Sequence, residues 1–306
     1  MTANKAKKRQ NDGGQVHKNT VGDYVFYICN FLFFCLFTLI CFFPFYFLFI
    51  NTISDNLLVA SGDIMFWPRG LHLENYLALT DLQSFIDAVW ITVSRTVLGT
   101  FLMVIVSAFA GYIFTQRKMW RRKLWYRFII IPMYFNAGLI PWFVNMLSLG
   151  LFDNYMAYII PGLVIPFNII LVKTYIESIP ADIEESARID GAGVLTIFFR
   201  IMAPVCLPIL ATISIFGAVS HWNSFQDSLI LMTNPRLFTL QHRLFMYLTR
   251  ASDLQAQIGL HPNAQVLNTR VIQYTVAMVS IIPIVLVYPL LQRFFIKGIM
   301  LGAVKG

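Results

Sequence analysis

Charged residues are scarce in this chain of 306 residues, because Asp, Glu, Lys and Arg make up only 12% of it while hydrophobic residues make up 58%. An ordinary soluble domain carries about twice that share of charge. The mean hydropathy of +0.66 would leave far too much apolar surface in contact with water. The composition therefore predicts a protein that lies in a lipid bilayer.

Three motifs of hydrolytic chemistry are absent from the sequence: the phosphate-binding P-loop, the H-E-x-x-H zinc motif and the G-x-S-x-G nucleophile elbow. We therefore predict no catalytic residue and no ATP hydrolysis by this chain itself. The cysteines lie in or beside apolar runs without metal-ligand spacing, which favours packing roles: Cys29, Cys35, Cys41 and Cys206. We predict no metal site and no cofactor bound by this chain.

Six hydrophobic runs are long enough to cross a bilayer, which takes about 20 residues each. They lie near 24–50, 88–115, 125–146, 155–176, 201–222 and 272–296. The sequence thus predicts an all-α integral membrane protein with one transmembrane domain, 24–306, after a polar tail, 1–23. Its two long polar interruptions late in the chain are 177–200 and 223–271.

Basic residues indicate the orientation, because Lys and Arg beside a span stay preferentially in the cytoplasm. They cluster before the first span and after the second: Lys5, Lys7, Lys8, Arg9 and Lys18, then Arg117, Lys118, Arg121, Arg122 and Lys123. We expect both termini and segment 177–200 to be cytoplasmic and segment 223–271 to be outside. The formal net charge of +8 then reflects topology and contact with anionic lipid, not nucleic-acid binding.

Segment 177–200 is predicted to form a short helix, a glycine turn and a second helix. Pro180 suits a first helical turn, acidic residues follow it, and Glu184 can pair with Arg188 one turn later. Gly191 and Gly193 then permit a sharp turn. Small residues at this turn could enter a groove on a partner protein, although a solvated cytoplasmic loop is the simpler alternative.

These residues resemble the coupling motif of the permeases of binding-protein-dependent ABC importers, E-A-A-x-x-x-G followed about nine residues later by I-x-L-P. Here the motif reads Glu185-Ser186-Ala187 with Gly191, then Ile201-Met202-Ala203-Pro204, so that Ser and Ala replace one Ala and the Leu.

The resemblance extends to Trp67-Pro68, Glu74-Asn75-Tyr76, Trp222-Asn223-Ser224-Phe225 and the last ten residues, 297–306. Together these segments are similar to carbohydrate importers of the maltose-permease type, which have six spans. The run from Pro283 to Arg293 resembles the subgroup for lipoprotein-linked and complex-polysaccharide uptake, which includes alginate-type importers.

The resemblance implies the type I ABC importer permease architecture in a bacterial cytoplasmic (inner) membrane. It implies a second homologous permease chain, two ATPase subunits that bind ATP-Mg, and an extracytoplasmic solute-binding protein. A sugar or oligosaccharide, of which uronate-containing polysaccharide is one case, would cross by alternating access. The residues implied in ATPase coupling are Glu184, Glu185, Ser186, Ala187, Asp190 and Gly191. A further ATPase contact is implied in the C-terminal tail, at Lys297 and Lys305, with a simple tail that leaves the membrane as the alternative.

Two other groups of side chains are candidates for substrate or partner contact. Arg95 lies well inside an apolar run, where a structural ion pair is the alternative to lining the translocation path. The remaining path candidates end the fifth span, where anchoring at the membrane interface is the alternative: Trp222, Asn223 and Gln226. The loop 223–271 offers arginines for a binding protein, unless it is a solvated loop with a short helix near 238–250: Arg236, Arg243 and Arg250.

Two other classes of membrane protein are alternatives. An ion-coupled secondary transporter generally needs an acidic residue near the membrane midplane, and none lies deep within the predicted spans. A membrane-embedded enzyme would need a cluster of acids or metal ligands, whereas the five histidines are scattered.

Overall fold

The computed structural model describes residues 21–82, 84–135, 137–249 and 268–303, with side chains as far as residue 289. Throughout these residues the chain forms helices and loops and no strand, which confirms the all-helical prediction. The α-helices are α1 (Val21–Thr52), α2 (Asn56–Ser61), α3 (Glu74–Thr80), α4 (Phe85–Thr115), α5 (Arg122–Ile130), α6 (Leu139–Ser148), α7 (Pro166–Glu177), α8 (Asp182–Ile189), α9 (Val194–Ile197), α10 (Ala203–Val205), α11 (Leu207–Asn223), α12 (Gln226–Leu231), α13 (Leu240–Thr249) and α14 (Thr269–Ala303).

Three helices among the described residues are long and apolar enough to cross a membrane: Val21–Thr52, Phe85–Thr115 and Thr269–Pro289. Two bent pairs raise the number to five if each pair is one span: Tyr155–Gly162 with Pro166–Glu177, and Val194–Val205 with Leu207–Asn223. The predicted third span, 125–146, is divided among α5, a 3-10 turn at Ile131–Tyr134 and α6. Six crossings therefore stay a prediction.

The chain divides into two units, Met1–Leu48 and Phe49–Gly306. The described part of the first unit is most of α1, a single helix whose apolar side chains, such as Phe31 and Leu32, are largely exposed. Exposed aromatic and aliphatic side chains over such a length suit a lipid environment.

Helix α4 is the central element of the second unit and packs against both α7 and α11. Its buried stripe follows helical spacing of three or four residues: Ala88, Thr92, Arg95, Gly99, Met103, Ser107 and Gly111. Small residues in this stripe allow the helices to approach closely, as is common in membrane bundles. A Cβ at Gly111 would lie 2.8 Å from the Val172 side chain of α7. A Cβ at Gly217 of α11 would lie 2.6 Å from the Met103 side chain, so both neighbours pack close to α4.

The helical run from α9 to α11 is bent by 80°. The break lies at Cys206, between Val205 and Leu207, with Pro204 before it and Pro208 after it, and neither proline can donate a helical hydrogen bond. A π-helical stretch, Phe198–Met202, precedes the break. Prolines and π-helical turns are the usual causes of such breaks. This run is therefore kinked next to the segment that carries the predicted coupling motif, whereas α4 is one continuous helix of 31 residues.

Candidate functional site

The predicted coupling segment folds as a helix, α8, that ends in a glycine turn. Acidic residues fill its first turn, where they interact favourably with the helix dipole. After Ile189 the chain reverses at Gly191, whose φ of +78° lies in the left-handed region that glycine adopts without strain. The Ala192 N–H donates to the Ala187 carbonyl over 3.0 Å and closes the turn. The predicted helix near Arg188 and the predicted glycine turn are both confirmed.

Glu184 lies at the centre of a polar network between α8 and the end of α4. Its Oε1 atom accepts hydrogen bonds from Arg188 Nη2 at 2.6 Å, Gln116 Nε2 at 2.9 Å and Tyr112 Oη at 3.1 Å. Arg188 also donates to Gln116 Oε1. The predicted pair of Glu184 with Arg188 is confirmed, and it is part of a larger contact that joins two helices.

The network keeps Glu184 ionised. Partial burial pushes the pKa of Glu184 upward, but the hydrogen bonds from Arg188, Gln116 and Tyr112 outweigh burial and hold it below its ordinary value. The pKa of Arg188 is raised, chiefly by its hydrogen bond to Glu184. Both groups are therefore charged at neutral pH.

The other predicted coupling residues divide between an exposed and a buried face of α8. Ala187 is only 8% exposed and packs in a core cluster with Tyr112 and Phe198. The exposed positions are Glu185, Ser186, Asp190 and Gly191. Ile189 follows Glu185 by one helical turn and is 86% exposed, so that an apolar side chain accompanies the exposed acid on one face.

Sequence reasoning missed Ile189, Tyr112 and Gln116. Tyr112 and Gln116 precede Glu184 by 72 and 68 residues, and helical spacing gives no information about contacts at that separation. The position of Gln116, directly between an apolar run and a basic turn, marks the end of a span. A cleft of about 450 Å³ beside the network is lined by that turn and by α8, including Arg117, Lys118 and Glu185.

A second polar site lies near the other end of α4. Arg95, only 2% exposed, binds Asp227 through Nη2 to Oδ2 at 2.6 Å and Nη1 to Oδ1 at 3.3 Å. Its guanidinium lies 4.4 Å from the Tyr158 ring centre, which adds a cation–π contact. Its Nε atom is buried without a hydrogen-bond partner among the described residues. The ion pair that we gave as the alternative for Arg95 is confirmed.

A cavity of about 340 Å³ adjoins this ion pair. Its lining includes Gln226, Trp142 and His221 besides Arg95 and Asp227, so it combines amide, carboxylate and aromatic surfaces.

The other two path candidates lie elsewhere. Trp222 donates from Nε1 to the Ser280 carbonyl at 2.9 Å and lines a largely apolar cavity with residues of α14. Asn223 is exposed and donates to the Val219 carbonyl.

The arginines of segment 223–271 differ in exposure. Arg236 is exposed. Arg243, on α13, is only 4% exposed: it donates to the Pro235 carbonyl at 2.9 Å and lies over the Phe238 ring. Its burial within the chain leaves little of it for a partner. The predicted short helix near 238–250 corresponds to α13.

The structure describes no side-chain position for the three remaining candidates. Arg250 and Lys305 lie outside the described residues, and Lys297 lies on α14 beyond the last described side chain.

A family model described as "Binding-protein-dependent transport system inner membrane component" matches residues 103–301. This range includes α8, its glycine turn and most of the bundle that positions them. The chain belongs to this family. It is accordingly a permease, the non-enzymatic membrane subunit of an ABC transporter.

Two curated relatives from Bacillus subtilis (strain 168) align with nearly the whole permease. Protein LplC is 32% identical over 288 residues, covering 94% of this chain and 97% of its own. The polygalacturonan/rhamnogalacturonan transport system permease protein YtcP is 32% identical over 289 residues, covering 94% and 100%. A solved bacterial ABC transporter that imports the acidic polysaccharide alginate matches with a TM-score of 0.82 and 29% identity, over 90% of this chain and 99% of that one.

Proposed function

We propose that this permease carries a saccharide, in particular an oligosaccharide with uronate units, through the inner membrane in an ATP-driven importer. The names of the relatives support this class of substrate, since one transports polygalacturonan and rhamnogalacturonan and the matching structure imports alginate. Both cargoes are acidic polysaccharides. The permease works with a second permease chain, two ATPase subunits that bind ATP-Mg, and an extracytoplasmic binding protein.

The observation that carries this proposal is the position of α8 beside the basic turn. A hydrogen bond of 2.9 Å joins Glu184 to Gln116, and the turn that follows Gln116 is dense in Lys and Arg. Basic turns stay preferentially in the cytoplasm, where ATP is. The network therefore supports a cytoplasmic α8. Six crossings with both termini on that side are the topology that we propose with it, from the positions of the basic residues.

The exposed face of α8 is the surface that we assign to the ATPase subunit. Glu185 offers a carboxylate for a cationic partner group, Ile189 offers an apolar contact, and Gly191 keeps the turn narrow. A small number of buried apolar and charged contacts commonly dominates an interface of this kind. Lys297 and Lys305 are a second proposed ATPase contact.

The cavity beside Arg95 and Asp227 is our proposed saccharide contact within this chain. Its volume of about 340 Å³ accommodates a sugar ring. Trp142 offers a ring on which a sugar can stack, while Gln226 and Asp227 offer groups that bind hydroxyls. Trp222 and Asn223 are weaker candidates for the translocation path, because Trp222 donates to the Ser280 carbonyl and Asn223 to the Val219 carbonyl. For the binding protein, Arg236 is the proposed contact that the structure leaves exposed.

The test is ATP hydrolysis by the reconstituted complex with binding protein and a panel of galacturonate oligosaccharides and neutral malto-oligosaccharides. We expect the galacturonate members to stimulate hydrolysis. Gly191→Pro should abolish stimulation, because proline requires a negative φ where the turn has +78°.

Gly193→Ala is the matched control, since a Cβ there meets nothing within 4 Å and its φ of −73° is ordinary. Failure of the wild-type permease to associate with an ATPase would refute the importer assignment. Stimulation by the neutral members alone would refute the uronate assignment.

A further inference from the structure

We propose that Glu184 is the joint between α8 and α4, which fixes the coupling helix to Tyr112 and Gln116 so that a displacement of α8 moves the end of α4. This inference rests on the proposed function. In this inference Glu184, Tyr112 and Gln116 transmit the motion of the ATPase to α4, whereas the exposed face of α8 receives it.

The geometry of the joint argues for a firm connection. One carboxylate oxygen of Glu184 accepts from both Tyr112 and Gln116, at 3.1 Å and 2.9 Å, and Arg188 holds the same oxygen from within α8. Because Arg188 also donates to Gln116, α8 is attached to α4 by two of its own side chains. Hydrogen bonds weaken steeply as they lengthen or bend, so α8 cannot shift far along α4 without losing several at once.

The two neighbouring acids of α8 have different environments. Glu184 is half-buried against α4, whereas Glu185 is exposed. Successive residues of an α-helix project about 100° apart, so both side chains cannot face α4. Of these two acids, Glu185 is the one exposed to meet the ATPase, and Glu184 holds α8 to the bundle.

Apolar packing supports the joint from the side. Tyr112 and Ala187 share a core cluster with Phe198, and the Tyr112 and Phe198 rings stack with their centres 5.4 Å apart. Helix α4 then continues without a break to Arg95, 17 positions before Tyr112, a distance of about 26 Å at 1.5 Å per residue. The joint and the Arg95–Asp227 cavity therefore lie on one helix.

The experiment uses the reconstituted importer and three measurements: co-purification of the ATPase subunits, stimulated ATP hydrolysis, and saccharide taken up per ATP hydrolysed. The probe is the galacturonate or malto-oligosaccharide that stimulates the wild type most strongly. Tyr112→Phe and Gln116→Ala each remove donors to Glu184. Tyr175→Phe is the matched control, because Tyr175 borders the same core cluster and is not among the described donors to Glu184.

We expect both joint variants to retain the ATPase and its stimulated hydrolysis but to take up between about two- and tenfold less saccharide per ATP, the range that one or two lost hydrogen bonds correspond to. Tyr175→Phe should match the wild type. The exchange Gln116→Glu with Glu184→Gln should restore uptake per ATP, since Arg188 contacts both side chains and would meet the carboxylate in its new position.

Wild-type uptake per ATP in both joint variants would overturn this inference while leaving the proposed function intact. So would a parallel loss of hydrolysis and uptake with no rescue by the exchange, because that result indicates general structural damage. Absence of ATPase association in the wild type would instead refute the proposed function itself.

Discussion

Replacing Asp227 by Asn should destabilise the permease strongly, because Arg95 would remain charged in a buried position. Arg95 is 2% exposed and Asp227 17%, and two oxygen–nitrogen contacts of 2.6 Å and 3.3 Å join them. Asn keeps the shape of Asp, so that Oδ1 can still accept from the Ser224 hydroxyl and the Ser228 N–H. The change therefore removes the negative charge and also puts the Nδ2 donor in the place of Oδ2, so that the 2.6 Å hydrogen bond from Arg95 is lost with the charge.

The magnitude follows from burial. Breaking a buried ion pair by removing one partner costs about 3–5 kcal/mol, because the other charge is left uncompensated. The ring of Tyr158 continues to face the Arg95 guanidinium and offsets about 0.5–2 kcal/mol of this. We therefore expect a net loss of roughly 3 kcal/mol. For soluble domains of about 150–250 residues this corresponds to a fall of about 6–12 °C in Tm.

The assay is thermal unfolding of the solubilised permease, with Asp227→Asn, Arg95→Met and the double variant Arg95→Met/Asp227→Leu compared with the wild type. Replacement of both charges by apolar side chains is often neutral or stabilising, so the double variant should unfold closer to the wild type than Asp227→Asn does. A loss below about 1 kcal/mol for Asp227→Asn, or a double variant no more stable than it, would refute this reasoning.

Three further predictions concern other close contacts. Gly99→Ala should destabilise the permease by about 1–3 kcal/mol, seen as a lower Tm, because its Cβ would lie 2.6 Å from the His221 ring. Thr92→Val should cost about 1–3 kcal/mol in the same assay, because the Thr92 hydroxyl accepts from the buried Leu240 N–H at 2.8 Å. The depressed pKa of Glu184 means that its stabilising contribution is present above the ordinary value of 4.5 and lost as pH falls below that value. The protection of the α8 amides against hydrogen exchange, relative to the intrinsic rate at each pH, should accordingly fall only in acid.

Local features of the coupling segment followed from sequence because each depends on neighbours in the chain. Glu184 and Arg188 are one helical turn apart, and Gly191 is the residue type that the left-handed turn requires. The segment's contact with α4 could not be derived in this way. Gln116 lies 68 residues before Glu184, and no periodicity indicates which helix α8 lies against.

The partner of Arg95 shows the same limit. A cation inside an apolar run predicts some partner, because an isolated charge is costly there. That partner, Asp227, lies 132 residues away in the sequence, just past the end of a span. A carboxylate at such a position is ordinarily solvated, so the sequence does not identify it as the partner of Arg95. The sequence also does not show which of these arginine side chains are exposed. Arg236 and Arg243 look alike in the sequence, but Arg236 is exposed and Arg243 is buried.

The contrast between α4 and the run α9–α11 bears on how motion would pass through the permease. The run beyond α8 is bent by 80° at Cys206, between Val205 and Leu207, and a bent run can absorb a displacement at its break. Helix α4 is continuous and carries Tyr112 near one end and Arg95 about two-thirds of the way to the other. When α8 displaces the end of α4 through Glu184, no break in α4 separates that end from the Arg95–Asp227 pair. This is why we expect loss of the Tyr112 and Gln116 contacts to uncouple uptake from hydrolysis, rather than to stop both.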